Sequence, residues 1–233
     1  MITRVAGRRI AANPIPYWSR DGRVDKSRAV FDEAFADSAK IGFTAVKADV
    51  PDGVDAGEYF DWIGNYGLAP ALSLFSSPFD ETIDITEEIE RAKGFAETQV
   101  VLGLDRTMIS SMAIPARLAH PAVGADFSRD RLNLAIENCG IICEVLQSQG
   151  LRPLHHSHVG GVFETEEEIV ALLDGLGRTS SVSELIPVTS GGPESNRRPS
   201  SRGTPTGLVA YTSKMSLPIT WVATVQSRCH TRT

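Results

Sequence analysis

The chain is poor in the features that mark several classes of protein. It contains only three cysteines, Cys139, Cys143 and Cys229, and no apolar run near the ~18 residues of a membrane-spanning helix. Cys139 and Cys143 lie four apart on a predicted helix, where we interpret them as small buried hydrophobic residues. Sparse cysteine, and no apolar stretch after the N-terminal arginines, predict a reducing, cytoplasmic setting with no secretory signal and no membrane partner.

Two common phosphate-binding motifs are also missing. No Gly-x-Gly-x-x-Gly follows the first predicted strand, and no Gly-Lys-Ser or Gly-Lys-Thr occurs anywhere in the chain. Glycine-rich loops of these two kinds hold dinucleotides and nucleoside triphosphates by their backbone amides. The sequence therefore disfavours a dinucleotide-binding fold and a P-loop fold.

Strands and helices alternate at close spacing through the first three quarters of the chain. Of its 233 residues, 42% are hydrophobic and 22% charged, which is ordinary for a globular domain with a sizeable core. Such alternation is typical of an α/β protein with a parallel sheet, and we predict a (β/α)₈ barrel in which about five units are recognisable. The predicted strands cover residues 9–15, 43–50, 68–75, 99–104 and 151–156; the predicted helices cover residues 26–40, 56–65, 86–98, 128–149 and 166–174.

Three of the five histidines follow one another where the fifth predicted strand ends. The carboxyl ends of parallel strands are where α/β proteins bind ligands and metals. Side chains alternate along an extended segment, so His156 and His158 should share one face and His155 should point the other way. Thr165 and Glu168 have the spacing of a capping box for the helix that follows.

Other candidates for the mouth of the barrel follow the first two strands. Asn13 and Trp18 lie at the end of the first strand and Lys47 at the end of the second, so we predict that all three contact substrate. For Trp18 a packed loop anchor is an equal alternative. For Lys47 a solvated surface lysine is the favoured alternative.

Several of these residues belong to motifs of one known family. The stretches are Ile10-Ala-Ala-Asn13-Pro14-Ile15 with Trp18, then Gly42-Phe43-Thr-Ala-Val, and above all His156-Ser-His158-Val-Gly160 followed by Glu164-Thr165. Over residues 8–175 the chain resembles the inosose dehydratase-like branch of the sugar phosphate isomerase and epimerase superfamily, which are xylose isomerase-like TIM barrels. The histidine motif is the most specific part of this resemblance.

The resemblance implies a divalent metal, Mn, Co, Mg or Zn, at the carboxyl-terminal mouth of the barrel. It implies a small sugar or cyclitol as substrate, with His156 or His158 as the metal ligand from the fifth strand. A metal bound to adjacent oxygens acidifies the C–H between them, and isomerases, epimerases and dehydratases all need that step. The choice among these reactions, and whether the protein is a homodimer, stay open.

Residues 178–233 have a different composition. Seven basic residues face two acidic ones there, a charge of +5; since the chain carries −6, residues 1–177 carry −11. Serine, threonine, proline, arginine and glycine dominate, as is typical of segments that cannot bury enough surface to fold. We predict a partial barrel domain over residues 1–177 and a disordered, low-complexity basic tail over residues 178–233.

The tail also lacks two motifs that the family places after the fifth strand. These are Asp-Thr-Gly-His and His-x-Lys-Asp, both of which supply metal or substrate contacts, and neither occurs in the sequence. Codons chosen for the stretch from Glu184, read from the third base of the first codon, spell Thr-Asp-Thr-Gly-His-Leu-Arg-Trp. Codons ending near Leu217 likewise spell Ile-Gly-Gly-Ile-His-Ile-Lys-Asp-Val. Our hypothesis is a reading-frame shift near residues 175–178, which predicts a weak metal site and an inactive chain as written.

Two functions of other classes compete with this one. A basic tail can neutralise phosphates, and metal-dependent endonucleases of abasic sites use a related barrel. Against nucleic acid stand the acidic body and a tail whose aromatic residues are Tyr211 and Trp221. The remaining alternative is a non-catalytic remnant that binds no ligand.

Overall fold

In the computed structural model, residues 4–5, 8–20 and 23–176 are described. The helices alternate with the strands along the chain, and each predicted helix is present with bounds within a few residues of the prediction. Two short helices, Ile15–Trp18 and Pro115–Ala119, were not predicted. Helices 56–65, 128–149 and 166–174 are confirmed nearly residue for residue. The helices are α1 (Ile15–Trp18), α2 (Arg28–Ile41), α3 (Ala56–Gly64), α4 (Ile85–Val101), α5 (Pro115–Ala119), α6 (Arg129–Ser148) and α7 (Glu166–Leu176).

The longer strands pair in parallel. The short strands β1 (Arg4–Val5) and β2 (Arg8–Arg9) form one antiparallel pair, and β3 (Ser19–Arg20) and β4 (Arg23–Val24) form another. The parallel strands are β5 (Ala45–Lys47), β6 (Ala69–Ala71), β7 (Leu74–Ser77), β8 (Arg106–Ser111) and β9 (Arg152–His155). Strand β5 pairs with β6, and β8 lies between β7 and β9. All their carboxyl ends therefore face one edge.

The first predicted strand is reduced to a single bridge. Ala12 pairs in parallel with Val46, donating its amide to the Ala45 carbonyl and accepting from the Lys47 amide. The chain then turns into α1, because Pro14 and Pro16 cannot donate ladder hydrogen bonds. Asn13 consequently lies directly after a paired residue at the same edge as Lys47.

The predicted strand 99–104 is wrong. Helix α4 continues through it to Val101, and its first turn is capped by Asp84 rather than by Thr86. Val100 and Val101 are 44% and 60% exposed, so the apolar run is not buried on both faces. The strand in this unit is β8, a few residues further along. The predicted strand 68–75 also divides, into β6 and β7.

The helices cover the strands with two hydrophobic clusters. One is aromatic and joins α1, α2 and α3: Trp18 stacks on Phe31 with ring centroids 4.6 Å apart, and Phe35 meets Trp62 edge to face at 5.3 Å. The other joins α4, α6 and α7 to β7, β8 and β9 and contains Cys139 and Cys143, both buried as predicted. No helix in residues 4–5, 8–20 and 23–176 is long and apolar enough to cross a bilayer. The predicted tail, residues 178–233, lies outside the described residues.

Candidate functional site

The histidine loop, residues 156–163, begins where β9 ends. The His156 amide donates to the Ile109 carbonyl at 2.9 Å, which continues the β8–β9 pairing by one residue. The rings of His156 and His158 lie edge to face with centroids 4.7 Å apart, so the two share one face as alternation predicts. His155 points away from them and is 1% exposed, with its ring against Phe163.

Both imidazoles of this pair are neutral near pH 7. Burial lowers the pKa of His156 to about 4, helped by the charges of His158 and Lys47. Partial burial of its ring, and then the Lys47 charge, lower the pKa of His158 as well, although the residue as a whole is exposed. A neutral imidazole offers a free nitrogen lone pair, which is the form that binds metals and accepts hydrogen bonds. Nδ1 of His156 is buried and has no hydrogen-bond partner among the described residues.

Lys47 lies at the carboxyl end of β5 and is 5% exposed. Its ammonium group donates to both carboxylate oxygens of Asp49, at 2.6 and 2.7 Å. Ser73 Oγ donates to the same carboxylate at 3.3 Å. The interpretation of Lys47 as a solvated surface lysine is therefore wrong. The Lys47 charge also contributes to lowering the pKa of both His156 and His158, which indicates that the ammonium lies near the pair.

The first-strand candidates are placed differently from each other. The Asn13 carboxamide oxygen accepts from the Ile15 amide at 3.4 Å, and the residue remains partly exposed at the sheet edge. Trp18 is 5% exposed and packs in the aromatic cluster, as a loop anchor would. A contact of either side chain with substrate stays a prediction.

Sequence reasoning missed the polar residues that support this site. Asp49 could have been found, because Lys47-x-Asp49 puts two charges on one side of a strand end. Arg117 carried no such signal, although it is buried and bonds to the histidine loop. The Thr165–Glu168 capping box, in contrast, is confirmed in both directions, at 3.3 and 3.0 Å.

The described residues fit a metal only in part. Two neutral imidazoles on one face are good ligands for zinc or a similar divalent ion. A catalytic zinc takes about three protein ligands, however, and residues 4–5, 8–20 and 23–176 contain no cluster of three or more histidine, cysteine or carboxylate groups suited to a metal. These residues alone do not complete a metal centre.

Comparison with known proteins gives matches at the level of structure. No protein-family model matches the chain, and no curated protein sequence matches it significantly. A xylose isomerase-like TIM barrel protein from Mycobacterium smegmatis, in complex with magnesium, is 16% identical with a TM-score of 0.54, covering 73% of this chain and 62% of that one. The IOLI protein with a binding zinc atom is 11% identical with a TM-score of 0.51, covering 73% and 60%.

A sugar epimerase is also similar in fold. D-allulose 3-epimerase from Methylomonas sp., in complex with D-allulose, is 15% identical with a TM-score of 0.51, covering 72% of this chain and 58% of that one. The chain thus spans about three fifths of the length of these three structures. The predicted fold is confirmed: the described part is an incomplete barrel of the xylose isomerase-like type.

Proposed function

We propose that this chain derives from a divalent-metal-dependent enzyme that isomerises, epimerises or dehydrates a small sugar or cyclitol. One observation carries the proposal: the His156–His158 ring pair follows the end of β9, and the buried Lys47–Asp49 pair lies at the end of β5, another parallel strand. Structural neighbours that include a sugar epimerase with its sugar, and proteins holding magnesium or zinc, support the choice of chemistry.

The residues of the site suit binding better than proton abstraction. A general base works best with a pKa near the working pH, whereas the pKa of His156 is about 4. His156 and His158 are therefore assigned to ligand binding, as metal ligands or as acceptors of substrate hydroxyl groups. The Lys47 ammonium, held by Asp49, would donate to a substrate oxygen. The general base is left unassigned among the described residues.

The missing ligands follow from the reading-frame hypothesis. A divalent metal, once bound, supplies the acidification of a C–H beside two coordinated oxygens. Two histidines do not hold such an ion for catalysis, and the family's later motifs can be written from the tail's codons in another frame. We propose that the tail is a shifted-frame product and that the chain as written is an inactive remnant of the enzyme.

The test compares two genes. The first encodes the given sequence. The second restores the reading frame near residues 175–178 by insertion or deletion of one base. Both proteins are titrated with Mn²⁺ and Co²⁺ by calorimetry, then assayed for turnover of a panel of ketohexoses and inososes. We expect metal-dependent turnover only from the restored chain, and its loss in His156→Ala but not in the exposed control His120→Ala.

Two outcomes count against the proposal. A 1:1 divalent site tighter than about micromolar in the chain as written would show that two histidines and other residues already complete a metal centre. An uninterrupted reading frame in the gene would refute the frame hypothesis. A restored chain without any metal-dependent turnover would refute the assignment to this class of enzyme.

A further inference from the structure

Buried charged side chains form hydrogen bonds with the backbone of the histidine loop. Arg117, on α5, is 1% exposed, and its guanidinium reaches the loop backbone from below. Its Nη1 donates to the Gly161 carbonyl at 2.8 Å and to the Val162 carbonyl at 3.3 Å. Its Nε donates to the Ala125 carbonyl at 3.0 Å, in the segment that follows α5.

The same guanidinium is tied to the start of α7. Nη1 and Nη2 of Arg117 donate to the two carboxylate oxygens of Glu168, at 3.0 and 2.6 Å. Burial alone would raise the pKa of Glu168, but hydrogen bonds from Arg117 and Thr165 outweigh it and lower the pKa. Both partners are thus charged at neutral pH, in a pair whose side chains are 1% and 2% exposed.

Glu164 makes a second connection beside the first. Its side chain is fully buried, and its carboxylate accepts from the amides of Gly160 at 2.8 Å, Gly124 at 2.9 Å and Ala122 at 3.1 Å. Gly160 belongs to the histidine loop, whereas the other two belong to the segment after α5. The carboxylate therefore joins two loops whose backbones would otherwise be independent.

The backbone of the loop is also fitted closely to β8. The Ile114 amide donates to the Gly160 carbonyl at 2.7 Å, and Ala113 bridges Gly161. A Cβ at Gly161 would overlap Ser111 Oγ, so only glycine permits this approach.

We propose that Arg117 and Glu164 are positioning residues that fix the histidine loop so that the rings of His156 and His158 stay side by side at the end of β9. The buried ion pair between Arg117 and Glu168 adds little net stability compared with packed apolar side chains, but it selects a single geometry. Removing one partner leaves a buried charge uncompensated, which the loop relieves by opening to water. The meaning of this arrangement rests on the proposed sugar site, but the arrangement itself does not.

The experiment measures the opening directly on the chain as written. Arg117→Lys keeps the charge but loses the fork that reaches two carbonyls and a carboxylate together; Glu164→Gln keeps the shape but loses the charge. Arg91→Lys is the matched control, since Arg91 also bonds a glutamate, Glu88, and a backbone carbonyl, Ser76, away from the loop. Each protein is treated with diethylpyrocarbonate at about pH 8, where ordinary imidazoles are neutral.

Labelling of each histidine is followed by peptide mass spectrometry. In the parent chain, we expect exposed His120 to react and buried His155 to stay unlabelled. In Arg117→Lys and Glu164→Gln we expect labelling of His155 to rise at least about tenfold, because the loop that covers it opens locally. The ratio of labelling of partly exposed His156 to exposed His158 should also change, since both belong to that loop. Arg91→Lys should behave as the parent chain does.

Alkylation of the buried thiols Cys139 and Cys143 separates a local from a general effect. The proposal requires these thiols to stay protected while His155 becomes reactive. If the thiols react in step with His155, the residues serve general stability and the proposal is overturned. Unchanged histidine labelling in both variants overturns it too. No turnover enters the measurement, so failure of the proposed function leaves this result unaffected, and the reverse also holds.

Discussion

Lowering the pH from 7 to 5 should destabilise this fold through a histidine outside the proposed binding pair. His155 is 1% exposed, its Nδ1 has no hydrogen-bond partner among the described residues, and its Nε2 lies 3.0 Å from Ser157 Oγ. Burial, and then the charges of His156 and His158, lower its pKa from 6.5 to about 4. The folded state therefore keeps His155 neutral at a pH where the unfolded chain protonates it.

The sign and size follow from proton linkage. A base whose pKa is lowered by folding contributes stability above pH 6.5, and this is lost as the pH falls toward about 4. At pH 5 the loss from His155 is about 2 kcal/mol, since each pKa unit is worth about 1.4 kcal/mol. His156 adds a smaller amount, because it is partly exposed and solvent screens its charge.

Urea unfolding followed by far-ultraviolet circular dichroism at pH 7 and pH 5 measures this loss. Stopping at pH 5 keeps the carboxylates with lowered pKa values, such as Glu88 and Glu168, out of the measurement. In His155→Gln, the difference in the free energy of unfolding between pH 7 and pH 5 should be about 2 kcal/mol smaller than in the parent chain. The exposed control His120→Gln should leave this difference unchanged. Equal pH differences in the parent chain and in His155→Gln would refute the reasoning.

Two further substitutions probe the site. Gly161→Ala should destabilise the fold by about 2 kcal/mol, since its methyl group would overlap Ser111 Oγ. Adding Ser111→Gly should recover part of this loss. The control Gly94→Ala, in open space on α4, should instead stabilise the fold by up to about 1 kcal/mol. A Gly161→Ala protein as stable as the parent in urea unfolding would contradict this packing. Lys47→Met removes a charge that helps to lower the pKa values of His156 and His158, so both pKa values should rise in an NMR titration. Asp49→Asn is the control, because it breaks the ion pair but keeps the ammonium group. Unchanged histidine pKa values would place Lys47 away from them.

The sequence predicted the histidine face because alternation along a strand is a local rule. His156, His158 and His155 take the sides that the two-residue period assigns them. The burial of Lys47 was not predictable in this way, because it depends on which side of the barrel its ammonium enters and on Asp49 to neutralise it. Arg117 is further beyond reach: its partners Gly161 and Glu168 lie 44 and 51 residues away in sequence.

The misplaced fourth strand shows a different limit. The apolar run at residues 99–104 predicts a strand, but its first residues end α4, while β8 is the more polar stretch Arg106–Ser111. Thr107, Ser110 and Ser111 are 0%, 1% and 5% exposed, because their hydroxyl groups can bond to backbone carbonyls; that of Thr107 reaches Ser73 at 3.1 Å. Hydroxyl side chains satisfied by the backbone can occupy a sheet interior that hydropathy reserves for apolar residues.

The histidine pair is the part of the described site that stands to gain most from a ligand. Nδ1 of His156 is buried without a hydrogen bond, and a buried polar atom left in that state costs about 1–3 kcal/mol. Because the pKa of His156 is low, the ring does not bind a proton near neutral pH, and Nδ1 stays without a partner among the described residues. Arg117 and Glu164, by fixing the loop, prevent it from escaping by turning toward solvent. A hydroxyl donor or a metal ion that reaches His156 would therefore recover this free energy, which is why we assign the pair to binding even though a complete metal centre needs further ligands.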